Sequence, residues 1–355
     1  MGQKTFEFER KFGAYVGAPH AIAVVTGTAA LHLALEAIGI QAGDEVLLPT
    51  TTFTATAEVV CYLGAKPVLV DVDSRTMNMD PADLARRITS RAKAIIPVHL
   101  AGVPCEMEEI QRLATQHGLR IVEDAAHSLP ASYHGTPIGA LSEVTAFSFY
   151  ATKTLTTGEG GMLTTSNDQV AERVRIMRLH GIEREAWKRY SGDGSWFYHV
   201  LEAGYKYNMT DIAAAMGLVQ LGKCDDLTGA RQAIAERYTS AFSAVSSLQV
   251  PESHADRKTS WHLYILRIHP EKLSIDRDRF ISELKQRGIG TSVHFIPLHL
   301  HPFYQKRFGY RAGDFPQAEA EYYRALSLPI YPTMNDAEIN AVIQAVTDVA
   351  ETFRR

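Results

Sequence analysis

The sequence predicts an α/β protein in which a large domain, built on a mostly parallel sheet with helices on both faces, is followed by a smaller α+β domain. Three observations lead there. The chain has 355 residues, more than one hydrophobic core usually organises, so two domains are expected. Up to about Asp225, short apolar runs alternate with helical patterns at a spacing of about 25 residues, the signature of a parallel sheet. From Asp225 the pattern changes to a long helix and then to Trp261–Ile268, a run with period-two alternation. The expected domains are therefore residues 1–224 and 225–355.

Composition narrows the function classes. A net charge of -4 and a pI near 6.4 give no global attraction to nucleic acid or to an anionic membrane. Nothing is apolar for long enough to cross a bilayer, and Met1–Phe6 lacks the apolar core of a signal peptide. Cys61, Cys105 and Cys224 are odd in number and far apart, which argues against a disulfide framework or a zinc site and fits a reduced, cytoplasmic home.

Taken in order, Phe8, Phe12 and Tyr15 share one face of a helix expected over Phe6–Tyr15. Ala21–Val25 is a short buried strand, and Thr26-Gly27-Thr28-Ala29 turns directly into a helix that Gly39 ends. The first turn of such a helix presents unpaired N–H groups and the positive end of the dipole, so it serves either as a plain cap or as an anion site. Glu45–Leu48 is the next strand, and Phe53 beyond it is either core or a cover for a planar ring. Lys66–Val72 is a strand, and Asp80 caps a helix with Pro81 in its first turn. A strand over Ala94–Val98 and a helix from about Cys105 to His117 lead to the central stretch.

That stretch runs from Ile121 to Gly161. Leu119–Val122 breaks into Glu123-Asp124-Ala125-Ala126-His127-Ser128; Val144–Phe149 leads to Tyr150-Ala151-Thr152-Lys153 and the turn Glu159-Gly160-Gly161. Both runs end in polar residues at the carboxyl ends of strands, where open α/β sheets bind ligands. A lysine there is usually solvated and an aspartate usually a cap. Here aromatic residues precede Lys153 and a glycine-rich loop follows it. A buried lysine can form a Schiff base with an aldehyde, and a carboxylate can keep a pyridine nitrogen protonated, the pair of services that pyridoxal phosphate requires.

The segments IVEDAAHS and AFSFYATKTLTTGEGG resemble the sugar aminotransferases of the DegT/DnrJ/EryC1/StrS family, and the resemblance runs over nearly the whole chain. It is nearest to members that aminate UDP-linked 4-keto sugars in making cell-surface polysaccharide or lipopolysaccharide. It implies the type I, aspartate-aminotransferase fold and pyridoxal 5′-phosphate as cofactor. Lys153 would hold the cofactor and shuttle a proton, Asp124 would pair with the ring nitrogen, and His127 would meet the ring hydroxyl. Phe53 would stack on the ring, while Thr28, Ala29 and Ser148 would meet the phosphate. Asn208 would reach the phosphate site of the neighbouring subunit, which makes a homodimer part of the expectation. Family members usually carry a further helix before this point, and the chain is expected to begin inside the turn that follows it.

For the substrate, Arg178, His180, Arg184, Lys188 and Arg189 crowd around Trp187 and Tyr190, a mixture that suits a nucleotide diphosphate or an ordinary solvated loop. Arg178, Trp187 and, by resemblance, His294 are the candidate substrate residues. Thr210 or Asn208 is placed to cap the helix Ile212–Leu221; later come a helix from Asp276, a strand over Gly290–Phe295, and a closing helix capped by Asn335 and Glu338. His294, His299 and His301 invite a metal reading, but no acid or cysteine lies at ligand spacing, and no metal is expected. The expected reaction moves an amino group from L-glutamate, leaving 2-oxoglutarate, to a nucleotide-linked keto sugar. A dehydratase with the same cofactor has histidine in place of the lysine, so Lys153 argues against it. A sensing or scaffolding member would bind the cofactor without amino transfer. A dinucleotide-dependent oxidoreductase is disfavoured because no G-x-G-x-x-G follows the first strand.

Overall fold

The computed structural model describes residues 1–183 and 197–355. A seven-stranded sheet runs in the order β1 (His20–Val24), β9 (Gly161–Thr165), β8 (Val144–Ser148), β5 (Arg120–Asp124), β4 (Ala92–Ile95), β2 (Glu45–Pro49) and β3 (Lys66–Val70). The pairings are parallel except those of β9, which is antiparallel to both β1 and β8. Strands β2 and β9 are buried at every position, as strands covered on both faces must be. On one side of the sheet α1 (Gln3–Val16) packs Phe8 and Phe12 against Phe147 and Phe149. On the other, α2 (Gly27–Ala37), α3 (Ala55–Tyr62) and α6 (Asp168–Met177) close a second apolar layer.

Local chemistry sets the helix ends. Asp80 Oδ1 accepts the Ala82 N–H at 2.9 Å ahead of α4 (Pro81–Arg87), and Gly39 takes φ 85° just past α2, both as the sequence predicts. Helix α5 (Met107–His117) follows β4. Helix α1 has no side-chain cap of its own; Asp211, at the start of α7 (Asp211–Leu221), accepts the Thr5 N–H at 3.1 Å and the Thr5 hydroxyl at 2.7 Å instead. Thr210 caps α7 by accepting the Ala213 N–H at 3.3 Å.

The C-terminal part has its own core. An antiparallel sheet of β10 (Leu248–Gln249), β12 (Tyr264–Ile268) and β13 (Ala325–Leu328) packs against α8 (Cys224–Phe242), α9 (Arg277–Gln286) and α12 (Asp336–Thr352). Asn335 and Glu338 form a capping box on α12. Two features depart from the expectation. Gly290–Phe295 is not a strand: only Ser292 bridges, to Ser327, and the segment then leaves the sheet to line a cavity. Residues 298–318, with α10 (Pro302–Phe308) and the start of α11 (Pro316–Tyr322), return to the large sheet, where Leu298, Tyr304, Phe315 and Ala318 join its core. Leu298 donates to Thr50 O at 2.7 Å, and Asp71 accepts the Gln317 and Ala318 N–H groups at 3.1 and 2.8 Å. A small sheet of β6 (Ser132–Tyr133), β7 (Thr136–Pro137) and β11 (Arg257–Lys258) makes another tie.

Arg178 corrects the expectation of a substrate contact. At the end of α6 it is 1% exposed, and its Nη1 donates to Glu9 Oε1 at 2.5 Å and to Ala23 O at 2.7 Å. Glu9 Oε1 also accepts the Ala23 N–H at 2.9 Å, so the pair fastens α1 and α6 to β1. Removing the cation strands a largely buried carboxylate, so Arg178→Met should lower unfolding stability by about 3 kcal/mol in urea titrations. A change below about 0.5 kcal/mol would contradict this role.

Candidate active site

The carboxyl ends of β5 and β8 bring the predicted residues to one crevice. Asp124 ends β5 and is 6% exposed. Thr56 Oγ1 donates to its Oδ2 at 2.8 Å and the Ala126 N–H to its Oδ1 at 3.1 Å. Burial still raises the carboxyl above its ordinary value, with Thr56, Ala126 and the charge of Lys153 pulling the other way. His127 is buried beside it, and the Ala101 N–H points at its Nδ1 from 3.3 Å. That donor leaves Nδ1 as the acceptor and puts the ring proton on Nε2. Burial, with the charge of Lys153 in support, holds the His127 pKa well below the ordinary histidine value, so the ring is neutral and Nε2–H is a donor.

The anion end forms where α2 begins. Thr26 Oγ1 accepts the Ala29 N–H at 3.0 Å, so Ala29 contributes to the cap. Gly27 and Thr28 belong to the first turn, whose N–H groups have no partner within a helix. A Cβ on Gly27 would lie 2.8 Å from Ser148 Cβ; only glycine lets Ser148 lie against this turn. Ser148 Oγ receives the Tyr150 N–H at 3.4 Å, which leaves its own proton to donate. Phe53 is 59% exposed, so it is not core, and its ring is tilted against Phe295 with centroids 5.9 Å apart.

Lys153 lies in the turn after β8. The Thr154 hydroxyl donates to Leu129 O, and the Thr157 N–H to Phe149 O at 2.9 Å, which closes the loop. Gly160 is required here, since a Cβ would lie 2.2 Å from Thr157 Oγ1. Burial lowers the Lys153 amine to about 8, with Asp124 as the opposing charge. The residue lines a cavity of about 710 Å³ between the large sheet and the C-terminal part, together with Arg231, His262, Thr291, Ser292, His294 and Thr333. His294 reaches it with Nδ1 2.8 Å from Ser327 Oγ, and burial beside Lys153 lowers its pKa.

The other candidates divide. Trp187 lies outside the described residues. Asn208 bridges to Val24 at the end of β1, close to the α2 cap, and its Oδ1 accepts from Lys206 Nζ at 2.7 Å. Reading the sequence missed His262, whose ring lies 4.4 Å from that of His127, and Phe295, whose ring stacks on His127 at 6.0 Å. It also missed Thr56 and Arg231. No local motif marks these four; each reaches the crevice by tertiary packing. His299 is taken by Thr50 and Glu319 at 2.8 and 2.9 Å, and among the described residues no cluster of acids, histidines and cysteines could hold a metal.

Pyridoxal 5′-phosphate fits these groups. A buried carboxylate with a raised pKa suits a ring nitrogen, an amine lowered to about 8 suits an aldehyde, and a helix N-terminus with a serine suits a phosphate. Residues 1–347 match the sequence model of the DegT/DnrJ/EryC1/StrS aminotransferase family. The chain is 51% identical over 354 residues to an uncharacterised protein of Methanocaldococcus jannaschii, covering 100% of this chain and 92% of that one. It is 49% identical to the spore coat polysaccharide biosynthesis protein SpsC of Bacillus subtilis, covering 99% and 90%. A Streptococcus pneumoniae protein assigned as a sugar aminotransferase superposes in its PMP-form with a TM-score of 0.93 at 34% identity, covering 99% and 93% of the two chains. Its PLP-form gives 0.92, with 99% and 92% covered.

Two outcomes are expected from this geometry. In the cofactor-free protein, labelling of Lys153 by acetic anhydride, followed by peptide mass analysis, should rise with pH to a midpoint near 8, because only the neutral amine reacts. Asp124→Asn removes the charge that favours the cation and should move that midpoint lower; a midpoint near 10 would contradict the burial argument. Gly27→Ala should weaken cofactor binding by about tenfold or more in a fluorescence titration and, because its Cβ would meet Ser148, should also lower unfolding stability by about 1–3 kcal/mol in urea titrations.

Proposed function

The chain belongs to the DegT/DnrJ/EryC1/StrS aminotransferase family, and from that membership we propose that it transfers an amino group from L-glutamate to a nucleotide-linked sugar, a UDP-linked 4-keto sugar. The single observation that carries the reading is Lys153: a buried amine lowered to about 8 beside Asp124, at the wall of a cavity that admits a substrate. Pyridoxal 5′-phosphate, when bound, supplies the electron sink for the amino group exchange. Lys153 would hold the cofactor through its amine and, when that amine is free, would carry the proton between the amino donor's α-carbon and the cofactor. Asp124 would keep the proton on the ring nitrogen, Nε2–H of His127 would donate to the ring hydroxyl, Phe53 would cover the ring, and Thr28 with Ser148 would anchor the phosphate.

The sugar assignment draws on the likeness to SpsC and to the S. pneumoniae protein, and on the cations and aromatics that the sequence gathers in residues 184–190. The product would serve cell-surface polysaccharide or lipopolysaccharide. The cytoplasm is the proposed place of work on the strength of three cysteines scattered through the sequence; among the described residues no helix is long and apolar enough to cross a membrane. A homodimer completes the proposal. Helix α7 buries Ala214, Gly217 and Leu221, yet Ile212, Met216 and Val219, spaced along its other side, are 80, 45 and 59% exposed. A second copy of the chain would cover that stripe, which begins four residues beyond Asn208, and in such a dimer Asn208 would reach towards the partner's site.

Adding L-glutamate without sugar should bleach the visible band of the lysine-bound cofactor, and Lys153→Ala should abolish both the band and turnover. A band that persists would favour another donor or a sensing role. Met216→Glu should convert the dimer to a monomer by light scattering and reduce turnover by about a hundredfold; a fully active monomer would sink the shared site.

A further inference from the structure

Among the described residues four arginines are buried, and three have a carboxylate partner. Arg178 pairs with Glu9 at 2.5 Å, Arg267 with Glu321 at 3.2 Å and Arg277 with Asp278 at 2.6 Å. Arg231, 6% exposed on α8, has none among the described residues. Its Nη1 donates instead to three backbone carbonyls, Ile330 O at 2.7 Å, Trp261 O at 3.4 Å and His262 O at 3.4 Å. Carbonyl dipoles hold a guanidinium in place without neutralising it, and burial without a counter-charge lowers even this group, to about 10. A buried cation left so is unfavourable until something anionic arrives.

The surroundings say where that anion would come from. Arg231 belongs to the wall of the Lys153 cavity, and that wall also carries His262, His294 and the hydroxyl residues Thr291, Ser292 and Thr333 but, among the described residues, no aspartate or glutamate. Three of its buried polar atoms, Arg231 Nε, His262 Nδ1 and Thr291 Oγ1, have no hydrogen-bond partner. Unmatched polar atoms of this kind, gathered on one wall, are costly in a finished core and expected in a site awaiting its ligand.

We propose that this wall is an anion subsite built around Arg231, and that it receives a carboxylate of the amino donor and of the 2-oxo acid that leaves. The assignment rests on the amino-donor reading above. A carboxylate is favoured over a phosphate because one tethered guanidinium matches a single negative charge in planar, paired hydrogen bonds, whereas a nucleotide diphosphate calls for several cations. Tethering also means that little side-chain entropy is lost when the acid binds.

The probe is glutarate, a five-carbon dicarboxylate with no amine to react, titrated calorimetrically into the cofactor-loaded protein beside UDP. Arg231→Met should weaken glutarate by about tenfold or more and leave UDP within about twofold, with Arg231→Lys recovering part of the loss. Thr291→Val leaves every tie of Arg231 intact and should weaken glutarate by about threefold, which keeps the test open if Arg231→Met does not fold. Unchanged glutarate binding in Arg231→Lys and Thr291→Val, or no glutarate binding by the unaltered protein, would overturn the subsite. Loss of UDP in place of glutarate would also overturn it and assign the wall to phosphate. The two proposals separate on the visible band: if L-glutamate fails to bleach it in the unaltered protein, the donor reading fails. If it bleaches at the same glutamate concentrations in Arg231→Lys, only the subsite fails.

Discussion

The structure depends on keeping two opposite ionisable groups, the Asp124 carboxylate and the Lys153 amine, out of water and close enough to feel each other. Burial pushes the acid up and the amine down, so each is held nearer to its neutral form than it would be at the surface. Their mutual attraction limits both shifts. A site in this condition accepts a cationic ring at one end and an electrophilic carbon at the other without having to shed tightly bound water.

Holding those groups there requires the sheet. Strands β5 and β8 are adjacent and parallel, with Asp124 paired in register with Ala146, so their carboxyl ends open on the same edge. Antiparallel β9 then returns the chain beside β8 and anchors the far end of the lysine loop, where Phe149 N–H meets Gly160 O at 2.8 Å. Behind the acid, Glu123 points the other way along the strand, and its Oε2 meets His99 Nε2 at 2.7 Å in a fully buried contact. The alternation of a strand thus places one carboxylate in the site and its neighbour in the scaffold.

The C-terminal part supplies the opposite wall, and buried arginines hold it in place. Arg267 donates to Ser74 O at 2.5 Å and to Arg75 O at 3.0 Å, while residues 298–318 pack into the large core. These ties fix the position of Phe295 and His294 against His127 and Lys153. The cavity between the two parts therefore has rigid sides, and its charge is set by which polar groups found partners elsewhere.

Much of the large domain was legible in the sequence because its signals are local. A cap needs only its own helix, so Asp80, Thr210 and Asn335 could be read directly, and the alternation of apolar runs marked the sheet. Lys153 and Asp124 stood out because aromatic and glycine neighbours made their setting unusual. Arg178, His262, Phe295 and Arg231 did not, since whether an arginine meets Glu9 or only carbonyls depends on residues 30 to 169 positions away. The same holds for Gly290–Phe295, whose composition suits a strand but which the packing of β13 leaves with a single bridge. Sequence by itself determined the elements and the chemistry of the central pair. Only the tertiary structure decided which charges are neutralised and which face the cavity, because burial and partnership belong to pairs of distant residues and cannot be read from either one alone.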